Sequence, residues 1–275
     1  VVTERKTVSE ILTPAAEFLQ KHGIERPKRE AEEVLSQVLG WRRLDLFLRF
    51  DDLLTEEQLK RCRTAIQKRA TRMPLAYIVG SIEFLGLTLD VTPDVLVPRQ
   101  ETEILVDRIL KETLEGSVLD LCCGSGAIGL ALKKHAPHLD VTLADLCPRA
   151  LAVARDNAAK LGLEVTCVQS DLLENIDKKF DYLVCNPPYV TEGDYPALEA
   201  EVKYEPRQAL ISGITGYECY QKLAPALESL GIRRAWFEIG TGMGERLIHL
   251  FSRYGWVAQV TLDFAGHERY LDLRR

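Results

Sequence analysis

The sequence predicts an α/β fold, a mainly parallel doubly wound sheet preceded by a helical bundle. Three observations predict it. From Val118 onward, short apolar runs alternate with helix-length amphipathic stretches. Successive runs end in Asp or Asn. A G-x-G-x-x-G pattern, Gly124, Gly126 and Gly129, joins the first run to a helical stretch.

The first 75 residues carry helical spacing instead. Val8, Ile11, Leu12 and Leu19 mark one helix face, with Pro14 as an interruption and Gly23 as a stop. Ala31, Val34, Leu35, Val38 and Leu39 mark a second helix, ending at Gly40. Leu44, Phe47 and Leu48 mark a short third. Thr55 with Gln58 matches a capping box that opens a fourth, with Leu59, Cys62 and Ile66 inward. That fourth helix carries Lys60, Arg61, Arg63, Lys68, Arg69 and Arg72 with no acid between them. The run reads equally well as a solvated face or a partner-binding surface. Residues 76–97 alternate, with Ile82, Phe84, Leu87, Leu89 and Val91 apolar and Gly86 at a turn. This predicts a β-hairpin joining the two parts. The expected division is 1–75 helical, 76–97 hairpin linker and 98–275 sheet domain.

Composition bounds the function. The chain has 275 residues, 46% hydrophobic and 28% charged, as in an ordinary soluble protein. No apolar run reaches the ~18 residues of a membrane span. Val1-Val2-Thr3-Glu4-Arg5-Lys6 has no leader-like apolar core. The seven cysteines make no zinc-type pairing and read as free thiols of a cytoplasmic protein. The net charge of −6 is uneven: residues 1–75 carry +3 and the remainder −9. An acidic sheet domain matches naked nucleic acid poorly.

The sheet domain carries the chemistry. Val118 to Leu132 reads as strand, glycine loop and helix. Asp120 lies just before Cys122-Cys123-Gly124-Ser125-Gly126. A carboxylate there would repel a pyrophosphate but attract an ammonium group, which favours S-adenosylmethionine as the ligand. The next strand ends at Asp145, about 20 residues beyond the glycines, where a carboxylate takes ribose hydroxyls. A third strand leads to Ser170-Asp171-Leu172, an acceptor position for the adenine amine. The apolar run Tyr182 to Cys185 then stops at Asn186-Pro187-Pro188-Tyr189. Two prolines remove backbone donors and stiffen the turn. An Asn oxygen and a neighbouring carbonyl make two fixed acceptors that suit a planar NH2 group, with Tyr189 able to cover its face. Asp120, Asp145, Asp171 and Asn186 at one sheet edge predict a class I, Rossmann-like methyltransferase fold. No metal site is expected. Glutamine amide and adenine both fit these acceptors.

At this point the chain resembles the bacterial release-factor glutamine methyltransferases over nearly its whole length. The matching blocks are Pro74-Leu75-Ala76-Tyr77-Ile78-Val79-Gly80, Phe84-Leu85-Gly86, Pro98-Arg99-Gln100-Glu101-Thr102-Glu103, the N-P-P-Y, Tyr204-Glu205-Pro206-Arg207-Gln208-Ala209-Leu210, Phe237-Glu238-Ile239-Gly240 and Asp263 to Arg269. Cys122 departs from the family, which has Gly there, and Gln100 stands where Pro is common.

The resemblance implies methyl transfer to the glutamine of the Gly-Gly-Gln loop in class I peptide chain release factors, by a cytoplasmic monomer. It implies Asn186, Pro187 and Tyr189 as catalytic residues, with Pro188 beside them on the substrate. It implies Asp120, Cys122 to Gly126, Asp145, Asp171, Leu172 and Asn186 as the cofactor site. Glu101, Thr102 and Glu103 are assigned to the site's lid, and the helical part to gripping the release factor. The alternatives are an amino-methyltransferase of a ribosomal-protein glutamine or of adenine, and a non-catalytic S-adenosylmethionine-binding module of translation.

Overall fold

A computed structural model describes residues 5–275. Val1 to Glu4, in the stretch read as lacking a leader core, lie outside the described residues. The chain divides into two compact units. One runs to Gly80 and also takes in Glu199–Tyr204; the other comprises Ser81–Leu198 and Glu205–Arg275.

The helical unit contains α1 (Val8–Lys21), α2 (Pro27–Leu39), α3 (Arg43–Leu48), α4 (Glu56–Ala70) and α5 (Leu75–Val79). Thr7 and Glu10 form a capping box on α1, and Thr55 and Gln58 form the expected one on α4. Val8, Leu12, Leu19, Val34, Leu35, Leu46 and Ile66 share one core.

Three expectations need correction here. Pro14 does not interrupt α1; the carbonyl it leaves without a donor belongs to exposed Glu10, where water can reach it. In α3, Leu46 turns inward while Leu44, Phe47 and Leu48 are exposed. The basic face of α4 is only partly free. Arg69 is buried and pairs with Glu30 at 2.7 Å and Glu201 at 2.9 Å, and Arg72 pairs with Glu201 at 2.8 Å. Tyr204 also donates its hydroxyl to the Thr71 carbonyl at 2.6 Å. These partners explain why Glu199–Tyr204, from the segment after the N-P-P-Y, belongs to the helical unit.

In the second unit, β1 (Ser81–Phe84) and β2 (Leu87–Asp90) pair as the expected antiparallel hairpin. Phe84, Leu87 and Leu89 are buried in this unit's own core, so the hairpin is part of the sheet domain rather than a separate linker. Then follow α6 (Gln100–Leu110), β3 (Ser117–Leu121), α7 (Ala127–His135), β4 (Asp140–Asp145), α8 (Pro148–Leu161), β5 (Thr166–Gln169) and β6 (Tyr182–Cys185). The short α9 (Arg207–Leu210) and α10 (Glu218–Leu223) precede β7 (Arg234–Glu238), α11 (Gly244–Ser252), β8 (Val257–Leu262) and β9 (Glu268–Arg274).

The seven-stranded sheet has the order β5-β4-β3-β6-β7-β9-β8. β5 through β7 in that order are parallel; β9 is antiparallel to both of its neighbours. Alternation along the strands serves two cores. Val118, Val184 and Trp236 face the layer holding Leu105, Leu130 and Leu151. Leu119, Leu183 and Phe237 face the layer holding Tyr220, Leu247 and Phe251. No helix among the described residues is long and apolar enough to cross a membrane.

Candidate active site

The chain runs β3, β4, β5 to one side of the sheet and returns to place β6 on the other side of β3. Connections therefore diverge at the C-terminal ends of β3 and β6, the crevice where open parallel sheets hold ligands. Leu121 and Cys185 are register partners there, so Cys122 and Asn186 leave the sheet side by side. A cavity of about 540 Å³ opens at this edge, within the sheet domain. Small-molecule sites span ~300–1,000 Å³.

The glycine loop forms one wall. Its backbone is in the left-handed region at Cys122 (φ 60°), Gly124 (φ 54°) and Gly126 (φ 81°). The Cys123 amide donates to the Ala144 carbonyl at 3.0 Å, tying the loop to β4. Cys122 to Ser125 line the cavity; Gly126 does not, and caps the start of α7 instead. At Gly129 a Cβ would lie 2.2 Å from Leu143 Cδ2 and 3.0 Å from Asp120 Oδ2, so any side chain there would force its buried neighbours to move.

Asp120 corrects an expectation. It is fully buried, does not line the cavity, and accepts the Gly129 amide at 2.8 Å beneath α7. Burial pushes its carboxyl up to about 8, the Gly129 amide opposing. Its second oxygen has no partner. A group this deep clamps helix to strand, and it offers no carboxylate to an ammonium group in the cavity. The electrostatic argument for S-adenosylmethionine from Asp120 therefore falls away.

Asp145, Asp171 and Leu172 do line the cavity. Asp145 accepts the Gly124 amide at 2.9 Å and the Cys147 amide at 2.8 Å, one on each oxygen. Each oxygen keeps a second lone pair. Burial raises the Asp145 pKa, and those amides pull against it. Leu172 takes φ 49°, in the left-handed region.

The N-P-P-Y supplies the facing wall through Asn186 and Pro188. Asn186 Nδ2 donates to Thr102 Oγ1 at 3.4 Å, and Thr102 Oγ1 donates to Glu238 Oε2 at 2.6 Å. Pro187 is buried and does not line the cavity. Neither does Tyr189, whose ring edge lies against Gly240; a Cβ there would sit 3.2 Å from Tyr189 Cδ2. Desolvation raises the Tyr189 hydroxyl to about 12.

Comparison with known proteins places this geometry. A family profile described as "Methyltransferase small domain" matches residues 99–210, and one described as "PrmC N-terminal domain" matches residues 10–80. A protein of Chlamydia trachomatis named release factor glutamine methyltransferase is 39% identical over 275 residues, covering 97% of this chain and 93% of that one. The chain belongs to the release factor glutamine methyltransferase family. A relative of the same name from Geobacter sulfurreducens is 39% identical over 254 residues, covering 90% of this chain and 89% of its own. Among solved structures, a methyltransferase from Pyrococcus furiosus shares the fold, with a TM-score of 0.52 at 16% identity over 80% of this chain and 98% of that one.

Cys122 has a φ of 60°, a conformation that glycine adopts more readily. The left-handed region costs a non-Gly residue about 1–2 kcal/mol. The Cys122 thiol faces the buried Cys185 thiol, and its side chain packs against the core that contains Cys185.

Spacing alone missed several residues of this family member's site. Arg99 donates to Glu205, which also accepts the Val97 amide, tying the P-R-x-E-T-E block to the Y-E-P-R block. Arg207 and Gln208 then line the cavity. The Val190 amide donates to the Leu210 carbonyl at 2.9 Å and its carbonyl accepts the Ser212 amide at 2.9 Å, holding the return of that segment beside the N-P-P-Y. Of the three residues assigned to the lid, only Thr102 lines the cavity. Glu103 instead accepts the Leu85 amide and pins the hairpin turn.

Proposed function

We propose that this chain transfers a methyl group from S-adenosylmethionine to the side-chain amide nitrogen of the glutamine in the Gly-Gly-Gln motif of class I peptide chain release factors. One observation carries the reading: 39% identity to named release factor glutamine methyltransferases across 93% of their length, with both the helical and the sheet parts matched. It acts as a cytoplasmic monomer on protein rather than nucleic acid, in keeping with the −9 charge outside the first 75 residues.

The cavity residues fit the cofactor. Asp145 has a free lone pair on each oxygen for vicinal ribose hydroxyls, and two backbone amides hold it in place. Asp171 provides an acceptor for an exocyclic amine, and Leu172 an apolar wall for a ring. The loop from Cys122 to Ser125 allows close backbone approach. When bound, S-adenosylmethionine supplies a methyl group made electrophilic by its sulfonium.

An amide nitrogen is a poor nucleophile because its lone pair is delocalised into the carbonyl. Asn186 Oδ1 and the Pro187 carbonyl each accept one N–H of the substrate amide, so the lone pair is aimed and emerging positive charge is stabilised. Orientation is worth up to ~7–11 kcal/mol in well-aligned cases. No strong base is needed, because the methylated amide loses its proton readily. Tyr189, packed on Gly240, supports the turn that carries both acceptors.

The helical unit holds the rest of the release factor. Leu44, Phe47, Leu48, Phe50 and Leu53 are exposed on it, an apolar strip suited to protein. The test is transfer of labelled methyl with release factor, ribosomal proteins and DNA side by side. Label on the release factor is expected; equal or faster labelling of DNA adenine or a ribosomal protein refutes the substrate assignment.

A further inference from the structure

Thr102, in the first turn of α6, lies 84 residues before Asn186 and 136 before Glu238. Both Thr102 and Glu238 are buried, at 4% and 2% exposure. Thr102 Oγ1 stands between them, 2.6 Å from Glu238 Oε2 and 3.4 Å from Asn186 Nδ2.

A threonine hydroxyl has one proton and two lone pairs, and an ionised carboxylate only accepts. The single proton therefore goes to Glu238. With Glu238 ionised, Thr102 Oγ1 is left as an acceptor toward Asn186, and the NH2 end of the Asn186 amide faces it. The other end, Oδ1, must point away from Thr102. We propose that Thr102 and Glu238 are positioning residues that lock the flip of the Asn186 amide, so that its oxygen and not its NH2 is presented to the substrate amide. This rests on the proposed role of Asn186 as substrate acceptor. A flipped Asn186 would set an NH2 group against the substrate's own NH2 and remove one of its two acceptors.

Protonation of Glu238 would reverse the chain. The acid would donate to Thr102, whose hydroxyl proton would turn to Asn186 and draw Oδ1 toward it. Burial raises the Glu238 pKa; the Thr102 hydroxyl, Arg269 of β9 and Arg99 lower it, and Glu101 raises it. Tyr189 and the α10 residue Tyr220 also face it, Tyr220 donating its hydroxyl to the Glu238 carbonyl at 2.8 Å. The turnover profile should have an acid limb that belongs to this relay.

The experiment uses the full chain. Thr102→Val keeps the shape and removes the hydroxyl; Thr102→Ser keeps the hydroxyl. Thr102→Val should lower kcat at least about tenfold, with the S-adenosylmethionine dissociation constant within about twofold of wild type. Thr102→Ser should recover most of the rate and keep the acid limb. In an Asn186→Ala background, Thr102→Val should cost nothing further, since both act through one amide. A structural role in the core would multiply the two losses instead. Asparagine-selective nitrogen-15 labelling gives a reading that needs no substrate. The Asn186 NH2 protons should show a nuclear Overhauser contact to Thr102 that disappears in Thr102→Val. Wild-type turnover in Thr102→Val, multiplicative losses, or an Asn186 NH2 group without that contact would each overturn the relay. A wild-type chain that labels no release factor but shows the contact would sink the substrate assignment and leave the locked amide standing.

Discussion

The Gly124 amide donates to Asp145 Oδ2 at 2.9 Å, so the loop after β3 and the acid at the end of β4 form one rigid corner of the cavity. The two amides fix the Asp145 carboxylate at the cavity wall. Asp145→Ala should raise the S-adenosylmethionine dissociation constant by about 10–100-fold, through loss of charge-assisted bonds to ribose hydroxyls. Titration calorimetry measures this directly. An unchanged constant would remove Asp145 from the cofactor site.

Asn186→Ala should separate binding from chemistry in the opposite sense. It deletes one of two substrate acceptors, so turnover should fall by about 100-fold or more, in the range for losing one preorganised donor or acceptor. Cofactor binding should change by no more than about threefold. Initial rates at saturating cofactor, paired with calorimetry, check both halves. A wild-type rate would refute the orienting role.

Asp120 predicts a pH dependence of stability in the ligand-free chain. Its carboxyl sits at about 8 in the fold, against ~3.9 when unfolded. Between those values the folded state holds the extra proton. This contribution is fully present below about pH 4 and is lost progressively as pH rises through 8. Asp120→Asn keeps an oxygen for the Gly129 amide and cannot ionise. Its melting temperature should fall less than that of wild type between about pH 6 and pH 9. Parallel melting curves for the two chains would contradict the buried, neutral acid.

The helical unit predicts a split between substrates. Phe47→Ser and Leu48→Ser change exposed side chains, so stability should shift by no more than about 0.5 kcal/mol. kcat/KM for intact release factor should nevertheless fall at least about tenfold, while that for a short Gly-Gly-Gln peptide stays unchanged. Equal rates on intact factor would show that this strip does not grip it. Charge reversal at Arg69 is a poor probe of docking, since Arg69 is itself buried and the change would set a third acid against Glu30 and Glu201.

Much of the sheet was legible because β3, β4 and β6 are buried apolar runs that stop at Asp or Asn. The position of β9 between β7 and β8 was not, since strand order depends on pairings remote in sequence. The inward face of α3 was misread because six residues make fewer than two turns, and Leu44, Phe47 and Leu48 align as well as Leu46 does. Within the site, Asp145, Asp171 and Asn186 could be read from their strand ends. Asp120 looks the same by that criterion, yet strand alternation turns it under α7, where Gly129 leaves room for it. The pairings of Thr102, Arg99 and Glu205 escape any local reading, because the partners lie 84 to 136 residues apart.

The most direct test of the central claim is mass spectrometry of a class I release factor after incubation with the full chain and S-adenosylmethionine. Fragmentation should place one added methyl on the side chain of the Gly-Gly-Gln glutamine, and none should appear when that glutamine is replaced by glutamate. A methyl on another residue, or an unmodified glutamine beside methylated adenine or ribosomal protein, would contradict the account.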